Sequence, residues 1–246
     1  MPYDGLMNII LFREFPQGGL IPASDERAKH ILGILKLKEG DSFRMGIVNQ
    51  SEGNAGIVRV DEAGVTVSYE PDSEPVLYPV TLLCAQVRPI CMKRILREAV
   101  SLGVGRIILC GSDTGEKSYM SANIYKSGEY RDFLMDGAMQ SAHAGIPEVL
   151  FADNANKAVR LAAETSPEGA DFILLDNVTG ALPLSGATIG EYAVLAIGPE
   201  RGWSDRERRL FADCGYRPML LGSRVLRTET ACSAGLAVLL SRMGLL

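Results

Sequence analysis

Apolar and polar positions follow two different rhythms along this chain, and the change between them divides it. Residues 6–12 (LMNIILF) predict a strand. Ser24, followed by Asp25 and Glu26, predicts the start of a helix, with Ala28, Ile31, Leu32 and Leu35 at helical spacing on one face. Gly40-Asp41 reads as a turn. Three short strands follow at 42–48, 55–60 and 64–69, the last alternating through Val65, Thr66, Val67, Ser68 and Tyr69 as a half-buried strand does. This is a small, mostly β module. Residues 70–79 carry Pro71, Pro75 and Pro79, which remove backbone donors and disfavour helix and central strand alike. The domain boundary is expected here, with a first domain at 1–75 and a second at 76–246.

Beyond the prolines the rhythm lengthens. A strand is expected at 80–87, a helix at 91–102 and a strand at 106–110. Ser127 is the expected cap of a helix running toward Ala142, and Asp153 that of another running to Glu164. The runs 171–176 (DFILLD) and 192–197 (YAVLAI) are continuously apolar, as strands buried on both faces of a parallel sheet are. Ser204 and Glu207 form a capping-box pair for a helix at 204–214, with Gly215 at its end. A strand at 217–221 and a helix at 229–243 close the chain. Alternating strands and helices predict an α/β fold with a mainly parallel sheet.

Composition narrows the classes. Hydrophobic residues make up 47% and charged residues 22%, so 246 residues can build a sizeable core. No apolar run reaches the roughly 18 residues of a spanning helix, and the first residues lack the basic and apolar regions of a secretory signal. The expectation is a soluble cytoplasmic protein with no membrane contact. Five cysteines are widely spread without C-x-x-C spacing, and there are only two histidines, so no metal site is expected. The net charge of −5 is uneven: residues 1–78 hold 7 Lys/Arg against 12 Asp/Glu, while residues 79–246 hold 18 against 18. Any basic footprint for nucleic acid must therefore be local.

Two loops carry the candidate chemistry. Gly198-Pro199-Glu200-Arg201-Gly202 follows one predicted strand and Leu221-Gly222-Ser223-Arg224-Val225-Leu226-Arg227-Thr228-Glu229-Thr230 follows another. In open α/β sheets ligands bind beyond the carboxyl ends of the strands. Gly198, Gly202 and Gly222 would let backbone approach a ligand, and Leu220, Leu221 and Leu226 would offer an apolar face. By spacing alone these could equally be ordinary strand-to-helix turns. Neither a G-x-G-x-x-G nor a G-x-x-x-x-G-K-[ST] pattern is present in a suitable context, which disfavours a dinucleotide oxidoreductase.

The pair of motifs, about twenty residues apart, resembles the C-terminal signature of the RsmE family, small-subunit ribosomal RNA methyltransferases acting at uridine N3 within the SPOUT superfamily. Leu102-Gly103-Val104 and Gln140 with Ile146-Pro147-Glu148 extend the likeness over nearly the whole chain. The resemblance implies a PUA-like first domain and a second domain with a deep trefoil knot. It implies a homodimer packed through the cofactor region, with ribosomal RNA or the small ribosomal subunit as partner. It also implies S-adenosylmethionine held among three loops: one near Leu175-Asp176, one at Ile197, Gly198, Pro199, Glu200 and Gly202, and one at Leu220, Leu221, Gly222, Leu226, Arg227 and Thr230. Arg201 stands where the family's first motif has a second glycine.

For methyl transfer to uracil N3, the protein must align the nitrogen, assist loss of its proton and stabilise the resulting anion. Arg227 is the candidate cation. Glu229 or Glu200 is the candidate base, although a carboxylate at Glu229 would also suit the positive end of the last helix. Candidate RNA contacts are Lys36, Lys93, Arg94, Arg97, Gln140, His143 and Arg201, with Lys93 and Arg97 sharing a helix face at i, i+4. A different RNA substrate, or a non-catalytic RNA-binding protein that retains the fold, are the competing readings.

Overall fold

The computed structural model describes residues 9–178 and 180–246. Two units emerge from its contacts. One comprises residues up to Val76 together with Ala138–Ile146, and the other comprises Leu77–Gly137 and Pro147–Leu246.

In the first unit, β1 (Ile10–Phe12), β2 (Leu20–Pro22), β3 (Ser42–Ile47), β4 (Ser51–Asp61) and β5 (Gly64–Ser73) form a sheet in the order β1-β3-β4-β5-β2. Only β1 with β3 runs parallel. Residues 6–8 of the expected first strand lie outside the described residues. β2 carried no alternation that would announce it. β5 runs four residues past its expected end, because Pro71 falls opposite Gly53, where a register shift absorbs it. Inward residues such as Ile10, Phe12, Met45, Ile57 and Val67 pack on Ile21, Ala28 and Ile31.

The helix expected from Ser24 is instead capped by Asp25, whose carboxylate accepts from Arg27 N at 2.9 Å. It is short: α1 spans Glu26–Lys29 and passes into a single wide turn at His30–Ile34. That widening rotates Leu32 out to solvent, while Ala28 and Ile31 stay buried. Glu52 is 6% exposed and accepts from Ala144 N at 2.5 Å and lies 2.7 Å from His143 Nδ1, which secures the 138–146 segment within this unit.

The second unit is a seven-stranded, wholly parallel sheet. Its strands are β6 (Tyr78–Ala85), β7 (Val104–Cys110), β8 (Glu148–Ala152), β9 (Asp171–Leu175), β10 (Leu182–Pro183), β11 (Ala193–Ile197) and β12 (Arg217–Leu220), in the order β10-β12-β9-β11-β6-β7-β8. The expected apolar runs are its centre: every residue of β11 is buried. The helices are α2 (Pro89–Ser101), α3 (Asn123–Lys126), α4 (Tyr130–Gln140, entering the first unit at its end), α5 (Ala155–Glu164), α6 (Asp205–Asp213) and α7 (Thr228–Arg242). The capping box at Ser204 and Glu207 forms in both directions. The cap of α5 is Asn154, not Asp153, and Asn154 accepts from Lys157 N at 3.0 Å. Asp153 pairs with Lys157 instead. β8 and the short α3 were not anticipated. No described helix is long and apolar enough to cross a membrane.

Candidate active site

Because β12, β9 and β11 are neighbours and parallel, the three loops that leave their carboxyl ends share one edge of the sheet. They enclose a cleft of about 610 Å³ that opens to solvent. β9 contributes Leu175, Asp176 and Asn177. β11 contributes Ile197, Gly198, Pro199, Glu200, Gly202 and Trp203. The third loop contributes Leu221, Arg224, Val225 and Leu226, and the start of α7 adds Thr228 and Ala231.

The loops are braced to one another. Thr228 Oγ1 donates to Gly198 O at 3.3 Å, and Asp176 N donates to Met219 O at 3.2 Å. Gly202, at φ +69°, closes the first loop by donating to Pro199 O at 2.8 Å. Gly198 has a packing reason to be glycine. A Cβ there would lie 3.2 Å from Trp203 Cδ1, N and Nε1, so the missing side chain is the space the indole fills. Trp203 is 2% exposed and its ring centroid is 4.7 Å from that of Phe211. Behind it, Glu207 is fully buried. It accepts from Ser204 N and from Asp113 N, both at 2.9 Å, and so ties the loop after β7 to the cap of α6. Thr114 Oγ1 adds a bond to Gly202 O at 2.5 Å.

The expected cofactor residues divide. Leu175, Ile197, Gly198, Pro199, Glu200, Gly202, Leu221 and Leu226 line the cleft, whereas Leu220, Gly222, Arg227 and Thr230 lie on the same loops without lining it. The helical period explains the last pair. Thr228 and Ala231, at i and i+3, turn one face of α7 to the cleft, and Arg227 and Thr230 flank that face. Arg224, Val225 and Thr228 lie in the second motif but were not singled out as cofactor contacts, and Asn177, Met219 and Ala231 were missed. The i, i+3 spacing could have signalled Thr228 and Ala231.

Among the charged candidates, Glu200 is exposed and accepts from Arg88 N at 3.4 Å. Glu229 is only 5% exposed, in the first turn of α7, and Arg227 Nη1 lies 4.0 Å from its Oε1. The Arg227 side chain itself is 86% exposed. Cys91 on α2 faces this group: burial pushes its thiol pKa up, and the nearby Glu229 and Glu200 carboxylates push it further.

The candidate RNA contacts are scattered. Lys93 pairs with Glu129 at 2.9 Å and Arg97 with Asp136 at 2.6 Å, both beside the Phe133 ring. Arg94 and Arg201 are exposed with no ion pair among the described residues. Lys36, Gln140 and His143 belong to the first unit, where His143 meets Glu52. Arg206 grips Asp113 through two nitrogens at 2.7 and 2.8 Å and holds that carboxyl below its ordinary pKa, helped by the Ser204 hydroxyl. Arg208 grips Asp176 at 2.6 Å. Among the described residues no group of three or more His, Cys, Asp or Glu is arranged to hold a metal.

An adenosine-bearing ligand fits this cleft. One wall is apolar through Leu175, Ile197, Leu221 and Leu226, the first loop offers backbone, and the buried Trp203 Nε1 has no hydrogen-bond partner among the described residues.

Comparisons with known proteins agree with the arrangement. Residues 73–240 match the family model of the RNA methyltransferase domain. The ribosomal RNA small subunit methyltransferase E of Treponema pallidum is 32% identical over 245 residues, covering 96% of this chain and 91% of that protein. The methyltransferase E 1 of Borreliella burgdorferi is 30% identical, covering 96% and 99%. The crystal structure of the Neisseria gonorrhoeae methyltransferase E bound to S-adenosyl methionine superposes with a TM-score of 0.77 at 20% identity, covering 96% of this chain and 97% of that one. With the family model spanning most of its length and relatives matching nearly end to end, this chain belongs to the ribosomal RNA small subunit methyltransferase E family of RNA methyltransferases.

Proposed function

We propose that this protein is an S-adenosylmethionine-dependent methyltransferase that modifies N3 of a uridine in the 16S RNA of the small ribosomal subunit. The observation that carries the reading is the cleft built jointly by the two C-terminal motifs at adjacent strand ends, in a chain that belongs to this family.

S-adenosylmethionine would supply an activated methyl group, held between the apolar wall and the Gly198–Gly202 backbone. The tasks left to the chain are to align uracil N3, accept its proton and stabilise the anion that forms on the ring. The exposed Arg227 guanidinium is suited to the uracil carbonyls, where the negative charge develops. Glu229 and Glu200 are the candidate carboxylates to take the N3 proton; the cleft-lining Asp176 is engaged by Arg208. No bound metal is needed for any of these steps.

The further features follow from the same reading: a PUA-like first domain, a homodimer, a cytoplasmic location and a trefoil knot. Support for the knot lies in the strand order. β12, the last strand, pairs between β9 and β10, which both precede it. The end of α7 is then tied to the segment after β10 by Arg242 Nε donating to Ala187 O at 2.8 Å. Such threading is rare in folds generally. A different RNA substrate is favoured by one observation: Lys93 and Arg97, expected to meet phosphates, are both committed to ion pairs.

Calorimetry with S-adenosylhomocysteine tests the cofactor assignment, and no binding at millimolar ligand would sink it. Mapping of N3-methyluridine in small-subunit RNA from cells with and without the gene tests the substrate. An unchanged signal would refute the ribosomal assignment and leave the alternative RNA.

A further inference from the structure

Few of the residues that line the cofactor cleft are charged. Among the described ones, Asp176, Glu200 and Arg224 carry the charges. They come from three neighbouring strand ends. β12 leads into the loop with Arg224, β9 into Asp176 and β11 into Glu200, and the strands lie side by side in that order. The middle charge is already met. The Asp176 side chain is 8% exposed and accepts from Arg208 Nε at 2.6 Å and from Arg208 Nη2 at 3.3 Å. Glu200 is exposed and accepts from Arg88 N at 3.4 Å. Arg224 is exposed, and its guanidinium has no ion pair among the described residues. It is the one cation among the described residues of the lining.

S-adenosylmethionine carries a sulfonium, an α-ammonium and an α-carboxylate. Its adenine and ribose suit the apolar wall of Leu175, Ile197, Leu221 and Leu226. Its carboxylate gives up water on entering the cleft and needs charged donors in exchange. Glu200 repels an anion, and Asp176 has only acceptors, already turned to Arg208. We propose that Arg224 holds the α-carboxylate of the cofactor through its forked guanidinium donors, and so directs the amino-acid end of the molecule toward the third loop. The two arginines of the second motif then have separate tasks. Arg224 lines the cleft and serves the cofactor. Arg227 lies outside the lining, its side chain 86% exposed, and remains for the uracil carbonyls. Because sulfonium and ammonium outnumber the carboxylate, the filled cleft presents no less positive charge to RNA than the empty one. That the ligand is S-adenosylmethionine rests on the methyltransferase reading.

The test is calorimetry on the full chain with two ligands: S-adenosylhomocysteine, and its decarboxylated analogue, which keeps the adenosine and the ammonium. Wild-type protein should bind the first about fivefold more tightly, the effect of an exposed guanidinium–carboxylate pair. Raising salt from about 0.05 M to about 0.5 M should narrow that gap. Arg224→Ala should close it, weakening S-adenosylhomocysteine while the analogue stays within about twofold. Arg160→Ala removes the same charge from an exposed position on α5 and should leave the gap as in wild type. Both variants should melt within about 2 °C of wild type by Trp203 fluorescence, since both side chains are exposed, so a change in binding is not a loss of fold.

A wild-type gap under about twofold, a gap that ignores salt, a gap that survives Arg224→Ala, or equal weakening of both ligands by that variant would each overturn the assignment of Arg224. All four leave the methyltransferase reading standing, because the cofactor product still binds. Wild-type protein that binds neither ligand at millimolar concentration would overturn that reading and the assignment with it.

Discussion

Glu207 offers a sharp test of how the site is held together. Its carboxylate is fully buried and its two acceptor bonds, 2.9 Å each, go to Ser204 N and Asp113 N. Glu207→Ala removes the charged acceptor from both donors, in bonds that are part-buried. Losing a hydrogen bond to a charged group costs about 1.5–3 kcal/mol, so the pair comes to about 4 kcal/mol. Glu207→Gln keeps one carbonyl oxygen and sets an amide NH₂ against the other donor, so about half of that is lost, ~2 kcal/mol. For a chain of this size each kcal/mol lowers Tm by about 2–4 °C, which gives drops of roughly 8–16 °C and 4–8 °C. The reporter is built in: Trp203, the sole tryptophan, lies next to Ser204 and is 2% exposed. Guanidinium unfolding followed by its fluorescence reads the transition directly. A cost below about 1 kcal/mol for the alanine variant, or an equal cost for the two variants, would refute the claim that the two bonds brace the loops.

Other outcomes follow from the same geometry. Arg227→Ala should leave stability within about 0.5 kcal/mol, because the side chain is 86% exposed. Methyl transfer should nonetheless fall about a hundredfold or more if the guanidinium stabilises the uracil anion, and full activity in a radiolabel assay would remove Arg227 from the mechanism. Iodoacetamide at pH 8 should modify the exposed Cys214 well before Cys91, whose pKa is raised by burial and by Glu229 and Glu200. Glu229→Gln should speed Cys91 labelling, read by mass spectrometry, and an unchanged rate would mean the two groups do not interact. Burial pushes the pKa of Cys110, Tyr125 and Tyr216 up, and Cys232 is raised first by its contact with Cys84 and then by burial. These groups stay neutral in the folded state while their unfolded counterparts ionise above roughly pH 8.5–10. Their contribution is therefore complete below that range and is lost as pH rises through it. Thermal melts should show Tm falling between about pH 9 and 11, and a flat profile would contradict the assignment.

Legibility from sequence tracked how local the determining physics is. Continuous apolar runs gave β9 and β11 nearly to the residue, because a strand covered on both faces needs nothing else to declare itself. The capping box at Ser204 and Glu207 was likewise readable, since both partners lie within one turn. What the same glutamate does across ninety residues, holding Asp113, had no local trace. The caps at Asp25 and Asn154 were each missed by one residue, for adjacent polar side chains compete for the same amide and only the geometry of the turn chooses. β2, β8 and β10 are short strands whose pairing comes from neighbours distant in sequence. Gly198 shows the subtlest gap: the glycine was recognisable, but the indole it accommodates was not.

The cations sharpen the electrostatics of the site. The sequence pointed to Lys93 and Arg97 on α2 as RNA contacts, and α6 adds Arg206 and Arg208. In the structure each faces a carboxylate: Glu129, Asp136, Asp113 and Asp176. Two of these pairs are structural joints of the site, since Arg206 fixes the loop after β7 and Arg208 fixes the loop after β9. A cation so committed contributes little field to an approaching phosphate, because its partner cancels most of it beyond a few ångströms. Arg94, Arg201 and Arg224 are exposed and have no ion pair among the described residues, and Arg227 has only a 4.0 Å contact. Three of those four lie on the two C-terminal motifs. These three cations place part of the unit's unpaired positive charge on the loops that form the cofactor cleft. In a chain of net charge −5, such unpaired cations are the local positive charge that an approaching polyanion meets at these loops, whereas the paired Lys93, Arg97, Arg206 and Arg208 offer it little.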